Sequence, residues 1–128
     1  MTKIVLAASA AFMAVCAFGT LFTPQELLAF LGVPRSGAAL LIVQLLAATF
    51  SGFAIANWMA KDSRMGGIYN RPLALANLLH FMIGAITFVK AFVAGTMPAA
   101  FATVAIFYIA FAIAFAAVVF RPAAEPAA

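Results

Sequence analysis

The chain has 128 residues, of which 68% are hydrophobic and 8% are charged. This length suits one compact domain and is too short for two domains of ordinary size. Soluble domains carry about three times this share of charged residues, and a small soluble domain needs polar side chains over most of its surface. We therefore exclude a water-soluble globule, while the high hydrophobicity excludes a disordered chain. The composition fits a protein that faces lipid.

Seven basic and three acidic residues give a net charge of +4. The basic residues are scattered and form no basic face, so the sequence indicates no nucleic-acid partner. Cys16 is the single cysteine, which excludes an intrachain disulfide and a cysteine-based zinc site. It lies inside an apolar segment, and we interpret it as a buried, inert thiol.

Four apolar segments of about 20 residues each follow one another along the chain, at 4–22, 38–59, 73–94 and 99–120. At about 1.5 Å per residue, a helix of this length crosses a hydrocarbon core of about 30 Å. Because lipid cannot satisfy backbone polar groups, the segments should be helical. The sequence predicts an all-α polytopic membrane protein, a four-transmembrane-helix bundle in which residues 1–128 form a single domain.

The connection after the first segment begins with Thr23-Pro24-Gln25-Glu26. A threonine cap, a proline in the first turn and a glutamate three residues after the threonine are typical of a helix start. Gly32 and Pro34 then indicate a helix end. We predict a short interfacial helix at 24–31 between the first two transmembrane helices; the alternative is a plain loop.

Basic residues are distributed unevenly between the two sides of a four-pass chain. Arg35 lies on one side, with Lys90 near that side inside the third helix, and the side that holds both termini has Lys3, Lys61, Arg64, Arg71 and Arg121. Because cytoplasmic loops carry an excess of lysine and arginine, we expect both termini to lie in the cytoplasm.

The second connection, 60–72, concentrates charge beside two helix ends. Lys61, Arg64 and Arg71 could bind the phosphates of membrane lipids. The alternative is that they only set the orientation of the chain. Trp58 and Tyr69 are placed where aromatic side chains anchor helices at the membrane interface.

The third connection, Gly95-Thr96-Met97-Pro98, is very short. Glycine suits a helix end and proline a helix start, so we predict that the third and fourth helices form an antiparallel hairpin.

Polar residues on the second and third helices recur on single faces. At 100° per residue, the polar arcs are formed by Gln44, Ser51 and Trp58 on the second helix and by Asn77, His80 and Thr87 on the third. Both Gln44 to Ser51 and His80 to Thr87 span seven residues. Antiparallel packing would therefore place Gln44 opposite Thr87 and Ser51 opposite His80, which predicts a polar seam between the two helices.

This seam allows two interpretations. The first is hydrogen bonding between helices. The second is a binding site for a small lipophilic ligand such as a lipid, quinone or pigment, lined by the same six residues, with His80 as a hydrogen-bond partner or an axial ligand. One intramembrane histidine cannot form a bis-histidine haem site within one chain. The sequence leaves the cofactor open.

No aspartate or glutamate lies within the four segments, which weighs against a proton-coupled transporter. No paired carboxylates, phosphate-binding loop or Ser/His/Asp set can be assembled around the sole histidine. We expect a non-enzymatic membrane protein, either an accessory subunit of a larger membrane complex or a self-associating bundle. The alternatives are the lipophilic-ligand binder and a small transporter or channel.

A stretch of the chain carries a recognisable pattern, Asn57-Trp58-Met59 followed by Gly66-Gly67-Ile68-Tyr69-Asn70-Arg71-Pro72 and then by Asn77 and His80. It resembles a family of small, uncharacterised four-pass proteins of the bacterial inner membrane, mainly over residues 44–90. The resemblance implies a four-helix fold and a bacterial plasma membrane, and it implies no activity for any residue.

Overall fold

The computed structural model describes residues 2–62 and 70–120, and every regular element in these ranges is helical. The elements in chain order are α1 (Thr2–Phe22), α2 (Pro24–Phe30), α3 (Gly37–Ala60), α4 (Asn70–Val93), a 3₁₀ turn (Ala99–Phe101) and α5 (Ala102–Val119). Helices α1, α3 and α4 and the stretch Ala99–Val119 are long and apolar enough to cross a membrane. The predicted all-α, four-span fold with a short helix between the first two spans is confirmed, and the chain is a multi-pass membrane protein.

A serine cap sets the start of the second span. Helix α3 begins at Gly37 because the Ser36 hydroxyl accepts a hydrogen bond of 3.1 Å from the amide of Ala39. Helix α4 is described from Asn70 onward, so its described part includes Arg71 and Pro72 ahead of the predicted apolar segment.

Helix α2 forms where the sequence predicted a short helix, but it starts differently. The Thr23 side chain makes no capping hydrogen bond, and its hydroxyl instead turns back to donate to the carbonyl of Gly19 at 2.6 Å. The predicted threonine cap is therefore wrong. The predicted end is confirmed: Gly32 has a positive φ of 68°, and the amide of Val33 bonds to the carbonyl of Leu28 at 2.9 Å, the pattern that ends many helices.

Contacts between residues divide the chain into two compact units. The single domain over residues 1–128 stays a prediction. Residues 6–61 form one unit, with most of α1, all of α2 and α3. A polar pair joins its two long helices: the Asn57 amide donates to the Ser9 hydroxyl at 3.1 Å, and both side chains are fully buried. Because Ser9 lies early in α1 and Asn57 late in α3, the two helices run antiparallel.

The second unit contains residues 2–5 and the described chain from Asp62 onward. Its main feature is the hairpin of α4 and α5, which confirms the predicted antiparallel pair. Gly95 has a positive φ of 67°, and the amide of Thr96 bonds to the carbonyl of Ala91 at 3.0 Å, so α4 ends in a tight glycine turn. Phe81 is fully buried between the helices and stacks on Phe115 at 5.8 Å between ring centroids.

We predict that Ser9 and Asn57 stabilise the first unit jointly. In a double-mutant cycle with Ser9→Ala and Asn57→Ala, we expect a coupling free energy of about 0.6 kcal/mol, the average for hydrogen bonds between membrane helices. The measurement is reversible unfolding in mixed micelles. The control is a second cycle in which Thr49→Val takes the place of Ser9→Ala, because the Thr49 hydroxyl bonds to the carbonyl of Leu45 in its own helix. Additive effects for Ser9 and Asn57 would contradict the prediction.

Candidate functional site

The hairpin brings the sole histidine against a tyrosine. His80 lies on α4 and Tyr108 on α5, and a hydrogen bond of 3.1 Å joins His80 Nε2 to the Tyr108 hydroxyl. Tyr108 is buried, with 5% of its surface exposed, whereas His80 is half-buried. The pair lies inside two membrane-spanning helices, where each polar group needs a partner within the protein.

Gly84 allows the tyrosine to approach this closely. It lies one helical turn after His80, on the same face of α4, and a Cβ atom at this position would overlap the Tyr108 ring. Any larger residue would therefore push the ring away from α4. Thus His80 provides the hydrogen-bond partner of Tyr108, and Gly84 leaves the space that the Tyr108 ring occupies.

Phenylalanine rings surround the pair. Phe81 meets the Tyr108 ring edge to face at 5.3 Å between centroids, and Phe88 does so at the same distance. Phe81 also lies 4.8 Å from the Phe111 ring. Aromatic pairs of this geometry add about 0.5–1.5 kcal/mol beyond the burial of their area. The rings therefore hold the tyrosine hydroxyl at a defined position beside His80.

This arrangement limits the chemistry that His80 can perform. Its Nε2 atom already shares a hydrogen bond with Tyr108, so a ligand that bound this nitrogen would have to displace the tyrosine hydroxyl. Within the described residues, no group of three histidine, cysteine, aspartate or glutamate side chains is placed to hold a metal ion. As it stands, the pair works as a polar connection between α4 and α5.

Three other predicted site residues bond to carbonyls of their own helices. Asn77 donates to Leu73 at 2.9 Å, Ser51 to Ala47 at 2.9 Å and Thr87 to Ile83 at 2.8 Å. Such bonds satisfy a polar donor without a second helix. Gln44 and Trp58 have exposed side chains. The pairing of Gln44 with Thr87 and of Ser51 with His80 stays a prediction.

The predicted lipid-phosphate residues are only partly within the described chain. The Lys61 ammonium lies 3.8 Å from the centroid of the Trp58 ring and donates to the carbonyl of Trp58 at 3.2 Å. Arg71 is exposed at the start of α4. Arg64 and the run Gly66-Gly67-Ile68-Tyr69 lie outside the described residues. Phosphate binding therefore stays a hypothesis.

Tyr108 is the residue that sequence reasoning missed. The sequence pattern alone assigns no role to this tyrosine. A usable signal was present, because the short Gly95–Pro98 turn fixes which parts of the two helices lie side by side. His80 lies 15 residues before Gly95 and Tyr108 ten residues after Pro98, so the turn brings them to neighbouring rather than equal depths, and the one phenol of α5 was a candidate partner for the one imidazole of α4.

Comparison of the chain with protein-family models, with curated proteins and with solved structures gives no match. The resemblance to small four-pass bacterial membrane proteins thus stays a prediction.

We predict that Gly84→Ala destabilises the hairpin, because the new methyl group overlaps the Tyr108 ring and overpacking of this kind costs about 1–3 kcal/mol. Gly19→Ala is the matched control: nothing lies within 4 Å of its Cβ position, and alanine favours helix by up to about 1 kcal/mol. Unfolding in mixed micelles gives both free energies. The ¹⁵N shift of His80 Nε2 should also move in Gly84→Ala; equal stability of the two variants together with an unchanged shift would contradict the role of Gly84.

Proposed function

We propose that this chain is a non-enzymatic integral membrane protein that acts by packing against other membrane helices, either as an accessory subunit of a larger complex or as a self-associating bundle. One observation carries the proposal. Within the described residues, every buried side-chain nitrogen or oxygen has a hydrogen-bond partner. Two of these bonds hold helices together, His80 with Tyr108 and Asn57 with Ser9.

The outward faces of the spans support the same proposal. Helix α5 exposes Ile106, Phe107 and Ile113, and Ala110 on the same helix is also exposed. Large apolar side chains beside a small residue suit both lipid and the close approach of another helix. The distribution of carboxylates weighs against a proton-coupled transporter, because Glu26, Asp62 and Glu125 all lie outside the four apolar segments.

We further propose a bacterial inner membrane as the location, with both termini in the cytoplasm. The excess of lysine and arginine on the side of the termini supports this orientation. Lys3 and Asp62 form an ion pair with an N···O distance of 2.6 Å. This pair agrees with the four-span topology, because Lys3 at the start of α1 and Asp62, which follows α3, then lie on the same side of the membrane. Trp58 and Lys61 at the end of α3 resemble an interfacial anchor.

The orientation predicts opposite labelling of two engineered cysteines. In a Cys16→Ser chain, Val33→Cys should react with a membrane-impermeant maleimide added to intact spheroplasts. Asn70→Cys should react only after the membrane is permeabilised. Labelling of both from the same side would contradict the four-span topology, and labelling with the sides exchanged would contradict the cytoplasmic termini alone.

The proposed function predicts what accompanies the chain from native membranes. After extraction in a mild detergent, the tagged full chain should run as an assembly with a stoichiometric protein partner or with itself. Size-exclusion chromatography with light scattering gives the mass, and mass spectrometry identifies proteins and small molecules. A monomer that carries only a stoichiometric quinone, pigment or lipid would contradict the proposal and favour the ligand binder. Ion or solute flux in vesicles containing the purified chain would favour a transporter instead.

A further inference from the structure

Gln44 differs from the other exposed polar side chains of the spans. Gln44 is exposed on α3, and within residues 2–62 and 70–120 its amide makes no hydrogen bond. It follows Gly37, the first residue of the helix, by seven positions, which is about two turns or roughly 10 Å. The glutamine side chain is too short to reach the helix end, two turns away, so its amide lies at the depth of the hydrocarbon core.

An amide in hydrocarbon requires a partner with both a donor and an acceptor. An unpaired amide in an apolar medium costs several kilocalories per mole, and glutamine side chains in membranes commonly bond across helices. The other exposed polar groups of the spans avoid this cost differently. Thr49 and Thr87 donate to carbonyls of their own helices, and the exposed Lys90 lies in the last turn of α4, from which a lysine side chain can reach the interface. Gln44 has neither route.

We propose that this partner is Gln44 of a second copy of the chain, so that two α3 helices pack face to face in a symmetric dimer. This inference rests on the proposed function and names its partner. Copies inserted in the same orientation are related by a two-fold axis along the membrane normal, so every residue lies at the same depth as its equivalent. A carboxamide offers a donor and an acceptor, and two amides at equal depth can bond reciprocally.

The side chains around Gln44 fit such an approach. At 100° per residue, Leu41, Ala48 and Ile55 lie within about 60° of Gln44 on the same side of α3, and all are exposed. We call these four residues the Gln44 surface. Ala48 lies one turn after Gln44 and lets the two backbones come close, while Leu41 and Ile55 supply apolar contacts on either side. The buried positions of α3, including Val43 and Phe50, lie on a different side of the helix.

Association of the full chain in a bilayer tests the proposal directly. Chains labelled with a donor or an acceptor fluorophore are reconstituted in vesicles of phosphatidylethanolamine and phosphatidylglycerol, and energy transfer is followed as lipid dilutes the protein. Gln44→Leu keeps the size of the side chain and removes the amide. We expect it to weaken dimerisation roughly tenfold, as the loss of two hydrogen bonds between membrane helices implies. Gln44→Asn should retain part of the affinity.

Thr49→Val is the matched control for this experiment. It also removes an exposed polar group from α3, but the Thr49 hydroxyl is bonded to Leu45 of its own helix. Dimerisation of this variant should equal that of the parent chain. An equal loss in Thr49→Val and Gln44→Leu would overturn the assignment of the interface to the amide.

Cysteine cross-linking locates the interface independently of the amide. In a Cys16→Ser chain, Ala48→Cys lies within the Gln44 surface, whereas Ile42→Cys lies about 160° from Gln44. Both parent side chains are exposed, so both cysteines should meet the oxidant equally. Oxidation in vesicles should give a disulfide-linked dimer for Ala48→Cys and little for Ile42→Cys, and the reverse pattern would overturn the proposed face.

The remaining outcomes separate this inference from the proposed function. If the chain forms a stoichiometric complex with a different protein and does not pair with itself, the inference is wrong and the proposed function holds. If Gln44→Leu lowers the stability of the monomer and leaves energy transfer unchanged, the amide is used within the chain and the inference is wrong. If the chain neither pairs nor retains a protein partner from native membranes, both are wrong.

Discussion

The need to pair every polar group inside a hydrocarbon solvent governs this chain. A soluble protein can leave a hydroxyl or an amide to water, but a membrane span has no such option. Ten charged residues among 128 leave the four spans almost entirely apolar, so the few polar side chains they contain decide which helix faces meet. The fully buried Ser9–Asn57 bond and the His80–Tyr108 bond are the two clearest results of this constraint.

Apolar packing fills the space around these bonds and fixes their geometry. In the α4–α5 hairpin, Gly84 opens the space that the Tyr108 ring occupies, and Phe81 and Phe88 meet that ring at 5.3 Å. Because lipid tails are as apolar as these rings, burial alone gives little preference for one helix rotation over another. Close fit and one directed hydrogen bond provide that preference, which explains why a glycine, an imidazole and a phenol occur together.

The fold could be predicted from sequence because the length and composition of the spans follow directly from bilayer thickness. Local turn chemistry also worked at Gly32 and Gly95, whose positive φ values end α2 and α4. It failed at Thr23, whose side chain turns back to donate to the carbonyl of Gly19 and does not present its oxygen to the amides of α2. The partner of His80 was missed for a different reason. Spacing along one helix predicts which residues share a face, but it does not say which neighbouring helix that face meets.

Donors and acceptors place different demands on a membrane helix. A hydroxyl can donate to the carbonyl four residues earlier, which already bonds one amide and has a second lone pair; Ser51 and Thr87 do this. An amide oxygen has no such choice, because every main-chain N–H in the middle of a helix is already used. Carboxamides therefore need a donor from outside their own helix. Asn57 finds a partner inside the chain, since its amide nitrogen donates to the Ser9 hydroxyl, whereas for the exposed Gln44 we propose the carboxamide of an identical chain, which at the same depth offers both a donor and an acceptor.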